Sequence, residues 1–137
     1  FLNAFSPPAQ PGRDGSAVLF DLKGASQGAA ISHTAGAAEF TVQTPGNYVV
    51  SFHATLAPYG CAVFPLSTLI YLDNQGVQVP DTGVRHTFHT TAEAANVAFA
   101  QVVQVPSAPA TLKFIASGGN FLYSDTAASI WYLGPLS

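Results

Sequence analysis

The stretch Thr44–Phe52 reads TPGNYVVSF. A Pro-Gly turn opens it, and Tyr48, Val50 and Phe52 then follow at every second position. Ala54 and Leu56 carry the same phase onward. Alternation of this kind after a Pro-Gly turn marks a β-strand, because successive side chains of a strand point to opposite faces. The Tyr48 phase is apolar throughout. The opposite phase, Asn47, Val49, Ser51, His53 and Thr55, is mixed and carries no fixed charge. The strand has one dry face and one that is neither clearly polar nor clearly apolar. What covers that second face decides the fold.

Composition narrows the options. A chain of 137 residues makes one domain. Only 8% of it is charged, against about 25% in ordinary soluble domains, and 48% is hydrophobic. The longest apolar stretches are broken by Gln101, Gln104, Gly134 and Pro135, short of the roughly 18 residues a membrane span needs. No membrane insertion is expected. A soluble chain so poor in charge either aggregates or buries extra surface in an oligomer. The net charge is −3, and the four basic residues, Arg13, Lys23, Arg85 and Lys113, are dispersed. That excludes a nucleic-acid patch. Cys61 is the only cysteine, which excludes an intrachain disulfide and a thiolate metal cluster. It reads as a small core hydrophobe. With no initiator Met and no basic-then-apolar signal segment, the chain is expected to be a domain cut from something longer.

Residues 1–16, FLNAFSPPAQPGRDGS, hold three of the ten prolines. They read as an extended leader, with residues 17–137 as the folded domain. No later segment sustains a helical period; the Ala-rich 92–100 runs into the alternating Phe99–Val105. What remains is a series of short strands between turn signals, the pattern of an all-β, two-sheet antiparallel sandwich. Some strands are half wet: Ala38, Phe40 and Val42 oppose Glu39, Thr41 and Gln43, and Leu112, Phe114 and Ala116 oppose Thr111, Lys113 and Ile115. Others, residues 17–22, 97–105 and 129–133, are apolar in both phases. A sandwich has one internal core, so a second dry face on one sheet must meet another chain. The reading joins Thr44–Phe52 to those three dry strands. Val49, Ser51 and His53 then face a neighbouring subunit, while Phe20, Phe40, Tyr48, Phe52 and Phe114 form the core. Thr68–Leu72, apolar in both phases, has no assigned second face.

Several pieces of sequence are similar to a known family. Phe40, then Gly46-Asn47-Tyr48, then Phe52 resembles the F-x5-G-x-Y-x-F signature of the complement-recognition and tumour necrosis factor superfamily, with Val50 in place of a usual aromatic. Ala128–Leu133 resembles its closing strand. The ordered set Gly28–Ser32, Phe40–Tyr48, Gly76–Gly83 and Ser129-Ile130 resembles, more narrowly, the C-terminal domains of exosporium collagen-like glycoproteins of the BclA type, over roughly residues 16–133. The resemblance implies a jelly roll of about ten strands, a homotrimer, and a collagen-like stalk whose end the leader would be. Gly12-Arg-Asp-Gly15 has the spacing of one collagen triplet. The resemblance also implies extracellular display on a bacterial spore surface. It places Trp131 toward the three-fold axis, with Val49, Ser51, His53 and Leu133 in the trimer interface.

Catalysis and metal binding find little footing. Gly24-Ala-Ser26-Gln-Gly28 matches the nucleophile-elbow spacing, but that motif needs a helix after it and a parallel sheet around it; no catalytic residue is assigned. His86 and His89 stand three apart, so on a strand they diverge. Asp73-Asn-Gln-Gly76 has oxygens a calcium ion could use, yet reads as a hairpin turn. No metal or cofactor is expected. The sequon Asn-x-Ser/Thr is missing at all five asparagines, which leaves only O-linked sugars open. The expected function is structural: a trimerisation and tip domain of a collagen-like filament. The alternative is a head that recognises a receptor or glycan through its loops. The small, nearly uncharged loops Ala57–Gly60 and Gly118–Tyr123 favour the structural role, because recognition surfaces gather aromatic and Arg residues.

Overall fold

In the computed structural model, which describes residues 1–136, TPGNY leads directly into a long strand. In chain order the strands are β1 Leu2–Ser6, β2 Gln10–Gly12, β3 Leu22–Ser26, β4 Ile31–His33, β5 Phe40–Val42, β6 Gly46–Pro58, β7 Leu66–Asn74, β8 Val77–Phe88, β9 Ala95–Val105, β10 Ala110–Gly118 and β11 Phe121–Gly134. They form two antiparallel sheets. The first runs β3-β1-β11-β6-β9, with β2 also paired to β11; the second runs β4-β5-β10-β7-β8. The fold is an all-β jelly-roll sandwich, and no helix occurs among the described residues.

Strand β6 begins at Gly46 for a steric reason. A Cβ there would meet the Tyr132 ring at 2.5 Å and the Gly134 carbonyl at 2.6 Å. Beyond it, Tyr48, Val50, Phe52, Ala54 and Leu56 are all buried. From the opposite sheet, Phe114 of β10 stacks on Phe52 with centroids 4.9 Å apart and meets Phe20, Phe40 and Phe99 at 5.8, 5.9 and 6.0 Å. Phe20, Phe40 and Phe114 are fully buried. Offset and edge-on contacts of this kind add about 0.5–1.5 kcal/mol per pair beyond area burial.

Three expectations need correction. Residues 1–16 are not a leader. Strand β1 lies between β11 and β3, with Leu2, Ala4 and Ser6 buried against Ile130, Ala128 and Thr126. Gly12 is buried under the Phe121 ring, and Gly12-Arg-Asp-Gly15 forms a turn in which the Ser16 amide donates to the Arg13 carbonyl. Residues 17–22 are not a strand beside β6. Ala17 bridges to Ile115 of the second sheet, and Leu22 starts β3 at the far edge of the first. Val18 and Phe20 enter the core on the way, while Leu19 stays exposed. Cys61 is not a core residue; it is exposed in the loop between β6 and β7.

Thr68–Leu72 lies within β7, between β10 and β8. Its half-buried Leu69 and Tyr71 face outward, with Tyr71 opposite Ile115. The two apolar exceptions of the second sheet therefore cover each other. The turn Gln75-Gly76 carries positive φ at both residues, 51° and 92°, and its Gly76 amide donates to Asp73 Oδ2 at 2.9 Å. This is the geometry of a two-residue hairpin loop.

A polar chain secures the end of β1. Gln10 Nε2 donates to Ser6 Oγ at 2.7 Å, and Ser6 Oγ donates to Asp21 Oδ2 at 3.0 Å. The buried Tyr123 hydroxyl accepts the Leu19 amide at 3.1 Å. Burial, with the nearby Asp21 charge adding to it, pushes the Tyr123 phenol above its ordinary value, and burial does the same to Tyr48.

Phe114→Ala should cost about 3–5 kcal/mol, read from urea denaturation. The two raised phenols predict alkaline sensitivity. Their contribution is complete below the unfolded tyrosine value of about 10 and is lost as pH rises through the higher folded values. Denaturation midpoints should therefore fall above about pH 10, and Tyr123→Phe should flatten part of that fall.

Candidate assembly interface

The outer face of the first sheet is a grid set by strand register. Trp131, Val49 and Val102 form one row across β11, β6 and β9. Ser129, Ser51 and Ala100 form the next, continued onto β1 by Asn3; Ala127, His53 and Ala98 form the third, continued by Phe5. In the first row Trp131 is 38% exposed and Val102 56%. An open depression of about 440 Å³ lies beside Trp131, lined by Phe1, Asn3, Ser129 and Tyr132.

A β-bulge turns Trp131 outward. Before it, Phe121 and Tyr123 point into the core; after it, Thr126, Ala128 and Ile130 do. The phase changes at Asp125, which takes a positive φ of 47° in the register shift between Ser124 and Ala127. Such a bulge sets two residues against one and reverses the faces beyond it. Val49, Ser51, His53 and Trp131 are thereby brought together. Leu133 lies past the grid, at a second register shift, and is 53% exposed.

Charge is distributed unequally between the sheets. Among the strands of the first sheet, only Lys23 in edge strand β3 and Asp125 at the bulge are charged. The second sheet carries Lys113 and Arg85 on central and edge strands. The three rows hold no fixed charge, and His53 is their single ionisable group. It borders a depression of about 220 Å³ shared with Phe5, Pro7 and Asp125. A contiguous, uncharged face with a large aromatic is the composition of an association surface. Reading residues 1–16 as a leader hid Phe1, Asn3 and Phe5 from this face. The signal was present in the alternation of Leu2, Ala4 and Ser6 against them.

The other candidates disperse. Ser26 is exposed in β3, with a strand where an elbow needs a turn into a helix. His33 stacks on Phe40 in the core at 4.6 Å, and His86 packs on Phe88 at 4.5 Å. His89 is exposed; its amide and that of Thr90 donate to the Glu93 carboxylate at 2.7 and 2.8 Å, which holds that carboxyl below its ordinary value. Among the described residues, no three His, Cys, Asp or Glu side chains gather to hold a metal ion.

The strand order of the two sheets is that of a tumour necrosis factor-like jelly roll. Among solved structures, the chain is similar to the Eiger tumour necrosis factor of S. frugiperda, with a TM-score of 0.75 over 100% of this chain and 95% of that one. At 11% identity the likeness is one of fold. No family model matches the sequence, and no curated protein does.

If the grid is an assembly face, a charge at its centre should break it. Ser51→Glu is expected to lower the solution mass while leaving the far-ultraviolet circular dichroism of the sandwich unchanged, since Ser51 points away from the core.

Proposed function

We propose that this domain is the non-catalytic, homotrimeric head of a collagen-like filament displayed extracellularly on a bacterial spore surface. The observation that carries the assembly is the uncharged outer face of the first sheet, with Trp131, Val49 and Val102 in one row. Three such faces packed around an axis would remove it from water. The filament and the exosporium rest on the sequence resemblance. Phe1 borders the depression beside Trp131, so a segment joined ahead of it would start at the assembly face. A three-fold assembly would then hold three such segments at high effective concentration, which favours a triple helix forming in register.

Light scattering at micromolar protein tests the assembly. A mass near three times the 14.2 kDa chain is expected, and a 14.2 kDa particle would overturn it. Trp131→Ala should weaken the trimer by about 3–5 kcal/mol per site if core values apply, with a smaller effect on protomer unfolding.

A further inference from the structure

A further depression, of about 420 Å³, lies where the β7–β8 hairpin meets the end of β9. Its polar lining is made of carboxamides and a hydroxyl: Asn74 and Gln75 from the hairpin, Gln78 from β8, Gln104 from β9, and Ser107 from the loop after it. No ionisable side chain lines it. Among the described residues, the one side-chain hydrogen bond in this lining is that of Gln75, whose Nε2 donates to the Pro109 carbonyl at 3.4 Å. The other amides keep their donors and acceptors open. Val77, 69% exposed, adds an apolar surface beside them.

One wall is an irregular segment that the fold holds in place. Asp73 pairs with Gln78 and Tyr71 with Gly83, so Leu72 is opposed by the four residues between Gln78 and Gly83. The buried Thr82 pins that segment, its hydroxyl donating to the Val79 carbonyl at 2.6 Å and accepting the Leu72 amide at 3.3 Å. Asp81 beside it takes a positive φ of 62°. A wide bulge with a non-glycine residue in this region has a conformational cost, and such features concentrate at binding sites.

We propose that this depression binds a neutral saccharide. Each carboxamide offers both a donor and an acceptor, which matches vicinal hydroxyls that donate and accept. The exposed Val77 suits the apolar C–H face of a sugar ring. The uncharged lining gives a phosphate, a carboxylate or an ammonium group no counter-charge. The volume lies within the ordinary range of small-ligand sites. A few open hydrogen bonds on a shallow surface imply weak binding, with a dissociation constant on the order of 1 mM.

An amide-resolved NMR titration tests this, with methyl α-mannoside, methyl β-galactoside and N-acetylglucosamine as probes and acetyl-triglycine amide as a neutral peptide control. At least one sugar should produce saturable shifts confined to residues 74–80 and 104–107. The double variant Gln78→Ala/Gln104→Ala should weaken that binding at least tenfold, about 1.4 kcal/mol, at an unchanged melting temperature. Gln43→Ala, an exposed amide elsewhere, should bind as the parent does. The proposal is overturned if no sugar shifts these residues, if the shifts survive the double variant, or if only the peptide produces them. Gln104 lies on the outer face of the first sheet, opposite Asn47, so particle mass is read on the same samples: loss of sugar shifts at an unchanged mass overturns the saccharide site and leaves the assembly untouched.

Discussion

At Asp125 the strand β11 carries one residue more than β6 opposes, and two faces of the molecule depend on that residue. Between the pairs Ser124–Thr55 and Ala127–His53, β11 places two residues against the single Ala54. The insertion sends Ile130 into the core and Trp131 out of it. It has a cost: Asp125 adopts a φ that L side chains seldom take, and the inward-turned Thr126 Oγ1 is buried without a partner among the described residues. A buried hydroxyl left unpaired costs about 1–3 kcal/mol. Without the bulge, the phase of Phe121 and Tyr123 would carry Trp131 inward against Tyr48 and Val50, and Ile130 outward.

The core can meet that cost because it is anchored elsewhere. Phe114 touches an aromatic from β6, one from β9, one from the crossover before β3 and one from β5. Those contacts hold the two sheets at a fixed spacing whatever covers their outer faces. The sheets then differ on the outside. The second turns Lys113, Thr41 and Arg85 to solvent around the small patch of Leu69, Tyr71 and Ile115. The first turns out serines, alanines, valines and one tryptophan. The middle row holds only Asn3, Ser129, Ser51 and Ala100, side chains short enough for a second sheet to approach closely there. The low charge of the whole chain is thus concentrated as a near absence of charge on one surface.

Much of this was legible in the sequence, for identifiable reasons. The stretch Thr44–Phe52 announced β6 because its turn and its alternation agree, and residues 97–105 announced most of β9 by β-branched alternation. The two-sheet sandwich and the aromatic core followed from sorting strands by face. Other features were not legible. Strand β1 is five residues long and followed by Pro7-Pro8, so its short alternation was submerged in proline-rich sequence. Residues 17–22 are apolar in both phases because the segment crosses from one sheet to the other, which imitates a strand buried on both sides. The bulge has no glycine to mark it; Asp125 takes the positive φ, so the periodicity of β11 alone could not say which way Trp131 points. Cys61 was assigned by residue type, and its loop position overrode that preference.

The central claim is that other copies of the chain cover the outer face of the first sheet. Trp131 is the only tryptophan and stands in the first row of that face, so its fluorescence reports the covering directly. On serial dilution, with the particle mass followed in parallel, the emission should shift to the red and become more open to acrylamide quenching as the assembly separates. Emission and quenching that stay constant while the mass falls to that of one chain would contradict the account.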